Sequence, residues 1–285
     1  MSRTLIALLL VVVLVIALRL AVWRGLRLAS RLFGKAAVAV DEVRGREDIA
    51  GLWARLRSSF PKTTGFLHAR VTLRRFTGLP LTLVVIAAVY IAGLLGGLVE
   101  ELMEAEELVH LDEAIHQGIG AISTDGMVFV FSWITDLGGS AALIAVTLVT
   151  TGLLWAHGRA YMVAPLWLTV LGSQLTTLAG KYALARPRPE FAADVAAFTP
   201  SFPSGHATSA MAVYGFIACV IARDFATTRQ RFEIVYWTAV LIGLIGFSRM
   251  LLGVHYASDV AAGFLVGGFW LLVGFAVAEH KRHRQ

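Results

Sequence analysis

The segment Ser248–Asp259 reads SRMLLGVHYASD, and it places an arginine, a histidine and an aspartate where two long apolar runs meet. These runs are Ile234–Leu252 and Ala257–Ala278. Each is long enough to cross the hydrocarbon core of a bilayer as a helix. Charge within membrane-spanning sequence is costly and usually has a functional reason. The segment therefore predicts a membrane protein with a functional site at the end of a membrane helix.

Apolar runs of similar length recur along the chain. With 57% hydrophobic residues and a mean hydropathy of +0.72, the 285-residue chain is more apolar than an ordinary soluble domain. We expect an all-α fold, a polytopic membrane helix bundle. Because Cys219 is the single cysteine, an intrachain disulfide and a cysteine-based metal site are both excluded. The seven predicted membrane helices are Leu5–Trp23, Leu79–Val99, Gly139–Ala156, Met162–Gly180, His206–Ala222, Ile234–Leu252 and Ala257–Ala278.

The first apolar run is flanked like a signal peptide and is interrupted by Arg19. Because no A-x-A-like cleavage site follows it, we expect it to be retained as an anchor. The chain is then predicted to have three parts. These are an N-terminal transmembrane anchor at residues 1–23, a basic cytoplasmic linker at residues 24–75 and a membrane domain at residues 76–285.

The placement of Lys and Arg predicts the orientation in the membrane. Arg24–Arg75 carries twelve of them and Phe76–His157 carries none, whereas Glu100–Glu113 holds seven acidic residues. By the positive-inside rule, the basic segment is cytoplasmic and the acidic one is outside. Counting helices onward then places SRMLLGVHYASD on the outer face. The net charge of +6 is explained by topology and anionic lipids, and no basic face of a soluble module indicates nucleic-acid binding.

Two shorter segments precede the third predicted membrane helix. Leucine and isoleucine recur at three- and four-residue spacing between residues 108 and 122, which predicts an amphipathic helix. This helix either lies on the outer membrane surface or packs on the bundle. Met127–Ile134 is apolar and rich in aromatic residues, so we expect it at the same interface.

The segment Lys181–Pro189, KYALARPRP, follows a predicted membrane helix and carries three cations. Its prolines prevent further helix, so both arginines are expected on an extended segment. A guanidinium fork and a nearby ammonium suit the oxygens of a phosphate. Alternatively, these side chains extend to lipid headgroups. Of the two arginines, Arg186 is the one that we expect to contact headgroups, which leaves Arg188 for the site.

The segment Pro203–His206, PSGH, directly precedes the apolar run that ends at Ala222. Ser204 suits a helix N-cap, and Gly205 leaves the backbone N–H groups unobstructed. A helix N-terminus with free N–H groups binds anions, and His206 stands where it could reach the same anion. The alternative is a plain cap followed by an interfacial histidine.

Within SRMLLGVHYASD, His255 and Asp259 are four residues apart, which predicts one helix face and hydrogen-bond reach. The carboxylate would keep one ring nitrogen protonated and leave the other as a nucleophile. A turn at Gly253 would bring Arg249 beside His255. The alternative is a buried His–Asp pair that only stabilises the bundle.

Together the three segments resemble the type 2 phosphatidic acid phosphatases, the PAP2 superfamily. The signature of that family is K-x6-R-P, then P-S-G-H, then S-R-x5-H-x3-D, and every position is filled here. The resemblance covers the chain from about residue 79 to 279 and implies a six-helix membrane core. The N-terminal anchor and the basic linker fall outside that core.

The resemblance also implies roles. His255 would be the nucleophile that forms a phosphohistidine, Asp259 would orient it, and His206 would be the general acid. Family members of this kind need no metal or other cofactor, and the sequence shows no carboxylate cluster that would hold Mg²⁺. The groups that would bind the phosphoryl oxygens are Lys181, Arg188, Ser204, the Gly205 backbone N–H and Arg249.

These expectations predict a lipid phosphatase, with a lipid phosphate and the surrounding membrane lipids as its partners. Undecaprenyl pyrophosphate, phosphatidate and phosphatidylglycerol phosphate all fit, and Glu190–Phe202 is expected to influence the choice of headgroup. A lipid phosphotransferase would use the same phosphohistidine. Vanadium haloperoxidases share the motifs but are soluble, and a non-catalytic scaffold would not need the complete set. The orientation and composition indicate a bacterial inner membrane, with the site facing the periplasm or outside.

Overall fold

The computed structural model describes residues 3–44, 51, 55–65, 78–104, 106–189 and 199–282. Within these ranges the chain forms helices and turns and contains no strand. It divides into two compact units, residues 1–83 and residues 84–285. The long helices are α1 (Arg3–Arg44), α2 (Leu79–Glu104), α3 (Glu106–Ile122), α4 (Asp125–Asp136), α5 (Ser140–Ala156), α6 (Val163–Leu184), α7 (Gly205–Asp224), α8 (Thr228–Leu251) and α9 (Ala257–Arg282).

In the first unit, α1 continues for 42 residues and therefore passes through the expected boundary after Trp23. Short helical pieces follow at residues 55–59 and 61–65. The expected boundary after residue 75 lies outside the described residues. The division into an anchor and a linker stays a prediction.

The predicted number of membrane helices is confirmed, because seven helical stretches in the described chain are long and apolar enough to cross a bilayer. The third stretch is longer than predicted, since it joins α4 and α5 across a turn at residues 137–139. The seven are Thr4–Leu32, Leu79–Glu104, Asp125–Ala156, Ala160–Leu184, Gly205–Asp224, Thr228–Leu251 and Ala257–Arg282.

Helix α7 forms the centre of the second unit and packs against α6, α8 and α9. Small residues allow this, because Ala207 and Ala210 are completely buried and bring the neighbouring helices close. On α9, a Cβ atom at Gly263 would lie 2.7 Å from the carbonyl oxygen of Ser204. Gly267, one turn further, faces Thr208 in the same way. The close approach of α7 and α9 therefore aligns the N-termini of both helices at one end of the bundle.

The two shorter segments both belong to this bundle. Helix α3 packs on α8 and α9, as in the second of the two alternatives, and its one fully buried residue is Asp112. Helix α4 packs on α8, with the rings of Phe131 and Phe247 5.3 Å apart in edge contact. The described part of the chain thus adds two helices around the end of the bundle where α7 and α9 begin.

Candidate active site

The three charged segments meet at the end of the bundle where α7 and α9 begin. The backbone N–H of Ser204 donates to the carbonyl of Asp259 over 2.9 Å, which ties the second segment to the third. After α8, the chain turns back so that the N–H of His255 donates to the carbonyl of Arg249 over 3.2 Å. Gly253 has the φ of 68° that this turn requires, a conformation that glycine adopts at little cost.

His255 and Asp259 are in contact, but the expected geometry is wrong. They do not share a helix face, because His255 lies in the turn before α9, which begins at Ala257. Asp259 reaches back from the first turn of α9, and its Oδ2 lies 3.3 Å from Nδ1 of His255. The same oxygen accepts the N–H of Tyr256 over 3.0 Å, so the carboxylate is held against the ring by a backbone donor.

The opposite edge of the His255 ring faces a cation. Nη1 of Arg188 lies 3.3 Å from Nε2. Burial lowers the pKa of His255 to about 4, although the hydrogen bond that the ring donates to Asp259 acts in the other direction. At neutral pH the ring is therefore uncharged. With Nδ1 donating to Asp259, the lone pair of Nε2 points toward the guanidinium of Arg188.

Arg188 is fixed by the loop that surrounds it. Its Nη1 donates to the carbonyl of Val254 over 2.7 Å, and its Nε donates to the carbonyl of Thr199 over 2.9 Å. Burial lowers the pKa of Arg188 but leaves it a cation. Lys181, in the last turn of α6, donates to the carbonyl of Pro200. As the prolines predicted, residues 185–189 lie outside α6 and form no further helix, and Arg188 contacts the turn before α9 through the carbonyl of Val254.

Arg249 lies in the last turn of α8 and is 6% exposed. Its Nη1 donates to Oγ1 of Thr135 over 2.8 Å, whereas its Nε is buried with no partner among the described residues. Thr135 is at the end of α4, directly after Met127–Ile134, the segment that was predicted to lie at the membrane interface. A threonine in an apolar run has no sequence signal that would identify it as the support of an arginine.

Ser204 is the N-cap of α7 by position, as predicted, but its side chain makes no capping hydrogen bond. Its hydroxyl is completely buried and has no partner among the residues described. An unpaired buried hydroxyl is unfavourable unless a ligand satisfies it. His206 follows in the first turn of α7, where its ring and Cβ lie beside Gly138. The N-terminus of α7 thus offers free N–H groups, a free hydroxyl and an imidazole.

The predicted cations lie near one another around these groups. Lys181 is close enough to Arg188 and Arg249 for their positive charges to repel one another. All three cations also disfavour a positive charge on the ring of His206. Repulsion of this kind is relieved by an anion bound among the cations. The arrangement therefore suits a tetrahedral oxyanion placed between the N-terminus of α7 and Nε2 of His255.

The chain is similar to known proteins in sequence. Residues 162–282 match the PAP2 superfamily. The chain is 34% identical over 178 residues to phosphatidylglycerophosphatase B of Bacillus subtilis (strain 168), a match that covers 61% of this chain and 87% of that protein. The chain belongs to the PAP2 superfamily. A lipid A 1-phosphatase of Rhizobium etli is 34% identical over 120 residues, covering 39% of this chain and 47% of that protein.

A solved structure supports the same fold for this PAP2 protein. The crystal structure of a transmembrane PAP2-type phosphatidylglycerolphosphate phosphatase from Bacillus subtilis matches with a TM-score of 0.62 and 27% sequence identity. The match covers 70% of this chain and 97% of that one. The protein is therefore an integral membrane protein of the PAP2 lipid phosphatase family, a hydrolase class that acts on lipid phosphates.

The prediction that Arg186 contacts lipid headgroups is wrong for this PAP2 protein. Arg186 is 8% exposed, and its Nη1 donates to Oδ1 of Asp259 over 2.7 Å. Its Nη2 donates to Oδ2 of Asp112 over 2.8 Å, and its guanidinium carbon lies 4.4 Å from the ring centre of Tyr256. The reason is local, since Ala185 ends α6 in the left-handed region with φ 44° and turns the next side chain inward.

Asp112 is the residue that sequence reasoning missed most clearly. It was counted with the seven acids of Glu100–Glu113, yet it is 2% exposed and lies against the start of α9. Its Oδ1 accepts the backbone N–H of Ser258 over 3.0 Å, and its Oδ2 contacts the Ser258 hydroxyl. The available signal was its position on α3, in line with the apolar spacing and not on the charged face. Residues 190–198, expected to affect headgroup choice, lie outside the described residues.

Proposed function

We propose that this protein hydrolyses the terminal phosphate of an amphiphilic lipid through a phosphohistidine at His255. The observation that carries the proposal is the state of the His255 ring. Its Nδ1 is held by the buried carboxylate of Asp259, and its Nε2 faces the guanidinium of Arg188. A neutral imidazole whose Nε2 lone pair faces fixed cations is arranged for attack on a phosphorus atom bound among those cations.

The first step forms the phosphohistidine. Nε2 of His255 attacks phosphorus in line with the lipid oxygen, so that a P–N bond forms as the P–O bond breaks. His206 donates its proton to the leaving lipid oxygen, which departs as an alcohol. The three other phosphoryl oxygens are bound by the cations of Lys181, Arg188 and Arg249, the hydroxyl of Ser204 and the N–H of Gly205. Asp259 stabilises the positive charge that the ring acquires.

The second step releases phosphate. Water attacks phosphorus, the P–N bond breaks, and His206 now accepts the proton of the water. His255 returns to its neutral form with the lone pair on Nε2. Because the cations supply the charge stabilisation at every stage, the cycle needs no metal ion. The described residues contain no group of three or more His, Cys, Asp or Glu side chains that could hold one.

The position of the cations supports a substrate class. They lie at one end of the bundle, where the ends of membrane-spanning helices are expected to meet lipid headgroups, so we propose a substrate with its phosphate at the headgroup and its apolar part in the bilayer. The names of two relatives, a phosphatidylglycerophosphatase and a lipid A phosphatase, favour phosphate monoesters of lipids. We place phosphatidylglycerol phosphate first, ahead of phosphatidate and undecaprenyl pyrophosphate. Transfer of the phosphoryl group to an acceptor alcohol in place of water is the alternative.

The test is a panel of these three lipid phosphates, assayed in detergent with excess EDTA. We expect phosphate release at an undiminished rate in EDTA, with phosphatidylglycerol phosphate turned over fastest. A rapidly quenched reaction should contain a phosphoenzyme that is labile in acid and stable in alkali. Loss of activity in EDTA that Mg²⁺ restores would refute the mechanism. The same assay is repeated with glycerol added as an acceptor alcohol. Formation of phosphorylated glycerol in an amount equal to that of free phosphate would favour the phosphotransferase.

We also propose that the site faces the periplasm or outside of a bacterial inner membrane, from the distribution of Lys and Arg. The test places a single cysteine on either side of the membrane, in a Cys219→Ser background. One variant is Thr199→Cys, at the end of the bundle that carries the site, and the other is Ala226→Cys, between α7 and α8. We expect a membrane-impermeant maleimide to label Thr199→Cys in intact cells and Ala226→Cys only after permeabilisation. The reverse pattern would place the active site in the cytoplasm.

A further inference from the structure

The PAP2 signature ends at Asp259, but the buried hydrogen-bond network continues beyond it. Arg186 bridges the carboxylates of Asp259 and Asp112, and none of these side chains is more than 9% exposed. Asp112 belongs to α3, which lies outside all three signature segments. We propose that Asp112 and Arg186 are positioning residues that set the geometry and the charge of Asp259 for its action on His255. This inference rests on the proposed phosphohistidine mechanism.

The geometric part concerns the two oxygens of Asp259. Oδ1 accepts from Nη1 of Arg186, which leaves Oδ2 for the backbone N–H of Tyr256 and for Nδ1 of His255. Because each oxygen has a separate partner, the carboxylate cannot rotate without breaking a charged hydrogen bond. The plane of the carboxylate, and with it the direction of Nε2, is therefore determined by Arg186.

Arg186 is itself held from three sides. Asp112 accepts from Nη2, the Ser258 hydroxyl accepts from Nη1 over 2.8 Å, and the ring of Tyr256 packs against the guanidinium. Asp112 is fixed in turn by the N–H of Ser258 in the first turn of α9, where the helix dipole favours a negative group. The arrangement thus connects α3, the segment after α6 and α9 through one guanidinium.

The electrostatic part concerns net charge. Two carboxylates surround one guanidinium, so the buried network carries one negative charge in excess. When Nε2 bonds to phosphorus while Nδ1 keeps its proton, the ring of His255 becomes positive, and the excess charge stabilises it. Without Asp112, Arg186 and Asp259 would neutralise one another, and the ring would be paired with a carboxylate whose charge is already compensated. Asp112 therefore supplies the charge that Arg186 would otherwise cancel.

This reasoning predicts an unusual double-variant result. Asp112→Asn should lower kcat by about 10²-fold, with KM nearly unchanged, since the defect lies in forming the phosphohistidine and not in holding the phosphate. Arg186→Gln added to Asp112→Asn removes one positive charge and restores the single negative charge on Asp259, while the glutamine amide keeps an N–H that can donate to Oδ1 of Asp259 in place of Nη1. The double variant should therefore turn over about tenfold faster than Asp112→Asn alone. A network that only joined helices would make the double variant the slower of the two.

The experiment measures formation of the phosphoenzyme by rapid quench with ³²P-labelled phosphatidate in detergent micelles. Glu107→Gln is the matched control, because it removes an exposed carboxylate from the first turn of α3, the helix that carries Asp112. Wild type and Glu107→Gln should form phosphoenzyme at the same rate, Asp112→Asn more slowly, and His255→Ala not at all. The inhibition constant of inorganic phosphate, which reports binding at the phosphate site without a bond to Nε2, should change less than threefold in Asp112→Asn.

The outcomes separate the two proposals. If wild type forms no acid-labile phosphoenzyme, the proposed function fails. If wild type forms it and Asp112→Asn matches Glu107→Gln, or the double variant is no faster than Asp112→Asn, the positioning role is refuted. Should Asp112→Asn not fold, Asp112→Glu and Arg186→Lys keep both charges and move their positions. In folded protein these should lower kcat and leave the inhibition constant of inorganic phosphate unchanged, and an unchanged kcat would overturn the inference.

Discussion

Arginine–carboxylate pairs lie at both ends of the bundle formed by residues 84–285, but they differ in burial. Where α6 and α9 meet at the site, Arg186 and its two aspartates are at most 9% exposed. At the other end, Arg159 binds Asp224 in a bidentate pair with side chains 34% and 50% exposed. These two pairs thus place the same chemistry once away from water and once at the surface. A third pair, Arg223 with Glu279 at the end opposite to the site, is intermediate, with side chains 21% and 9% exposed.

The difference in burial determines what each pair does. An exposed pair is screened by solvent and typically contributes less than about 1 kcal/mol. A buried pair is costly to form, and removal of one partner leaves a charge without compensation, at about 3–5 kcal/mol. A protein gains little stability from building such a pair in place of apolar packing. Beside His255 the cation and both carboxylates are at most 9% exposed, whereas the most buried described pair at the opposite end, Arg223 with Glu279, has side chains 21% and 9% exposed. The deeper burial beside His255 agrees with the positioning role proposed for this network.

The largest expected contrast between the two ends concerns their histidines. We expect His255→Ala to lower kcat by about 10⁴-fold or more, because it removes the covalent nucleophile. His157→Ala, at the exposed end of α5, should leave kcat within about twofold of wild type. Phosphate release and thermal unfolding of both purified variants are the measurements. If folded His255→Ala turned over substrate at a tenth of the wild-type rate, His255 would not be the nucleophile.

His206 provides the next contrast, through its dependence on the leaving group. Loss of a general acid costs about 10²–10⁴-fold and is felt most when the leaving oxygen is basic. His206→Ala should therefore lose far more activity on an alkyl phosphate than on p-nitrophenyl phosphate. His280→Ala, in the last turn of α9, should affect both substrates alike. Equal losses of His206→Ala on the two esters would contradict its role as the acid.

The two arginine pairs can be compared directly by stability. Arg186→Gln leaves two buried aspartates without their shared cation and should lower the free energy of unfolding by about 3–5 kcal/mol. Arg159→Gln should lower it by less than about 1 kcal/mol. Denaturant titration in detergent checks both values. Similar losses for the two variants would show that burial does not distinguish the two ends.

The buried state of His255 also predicts a pH dependence of stability. Its pKa is lowered to about 4 by burial, whereas in the unfolded chain it returns to the usual value of about 6.5. Between these values the unfolded state binds more protons, so stability falls as the pH is lowered from 6.5 toward 4. The loss is of order 1–3 kcal/mol. The thermal midpoint of wild type minus that of His255→Gln should therefore decrease as the pH falls, and a constant difference would refute the assignment.

The smallest expected effects come from two helix N-caps. At the opposite end from the site, Thr227 caps α8 by accepting the N–H of Gln230 over 3.3 Å, whereas the hydroxyl of Ser204 accepts nothing at the start of α7. Thr227→Ala should cost about 1 kcal/mol of stability and no activity. Ser204→Ala should cost no stability but lower activity by about tenfold, through one lost hydrogen bond to phosphate. A stability loss in Ser204→Ala equal to that in Thr227→Ala would show that the serine is an ordinary cap.

Much of the site was predictable because its signals are local. The length of the apolar runs predicts spanning helices, and the prolines after Lys181 predict the extended segment of Arg188. What failed depended on a single backbone conformation or on a distant partner. The left-handed Ala185 turns Arg186 inward, and nothing in the spacing of KYALARPRP indicates it. The position of His255 before α9 likewise follows from a turn that ends one helix and starts another.

Hydrophobic length and motif spacing are properties of short stretches, so the sequence was enough to show that this chain crosses a membrane and to predict that three segments carry phosphate chemistry. Which carboxylate meets which cation depends on the packed helices. Asp112 reaches Ser258 across 146 positions of sequence, and Thr135 reaches Arg249 across 114. Such contacts depend on how α3 and α4 pack against α8 and α9. That packing is set by the shapes of many side chains together, so no single stretch of sequence encodes it.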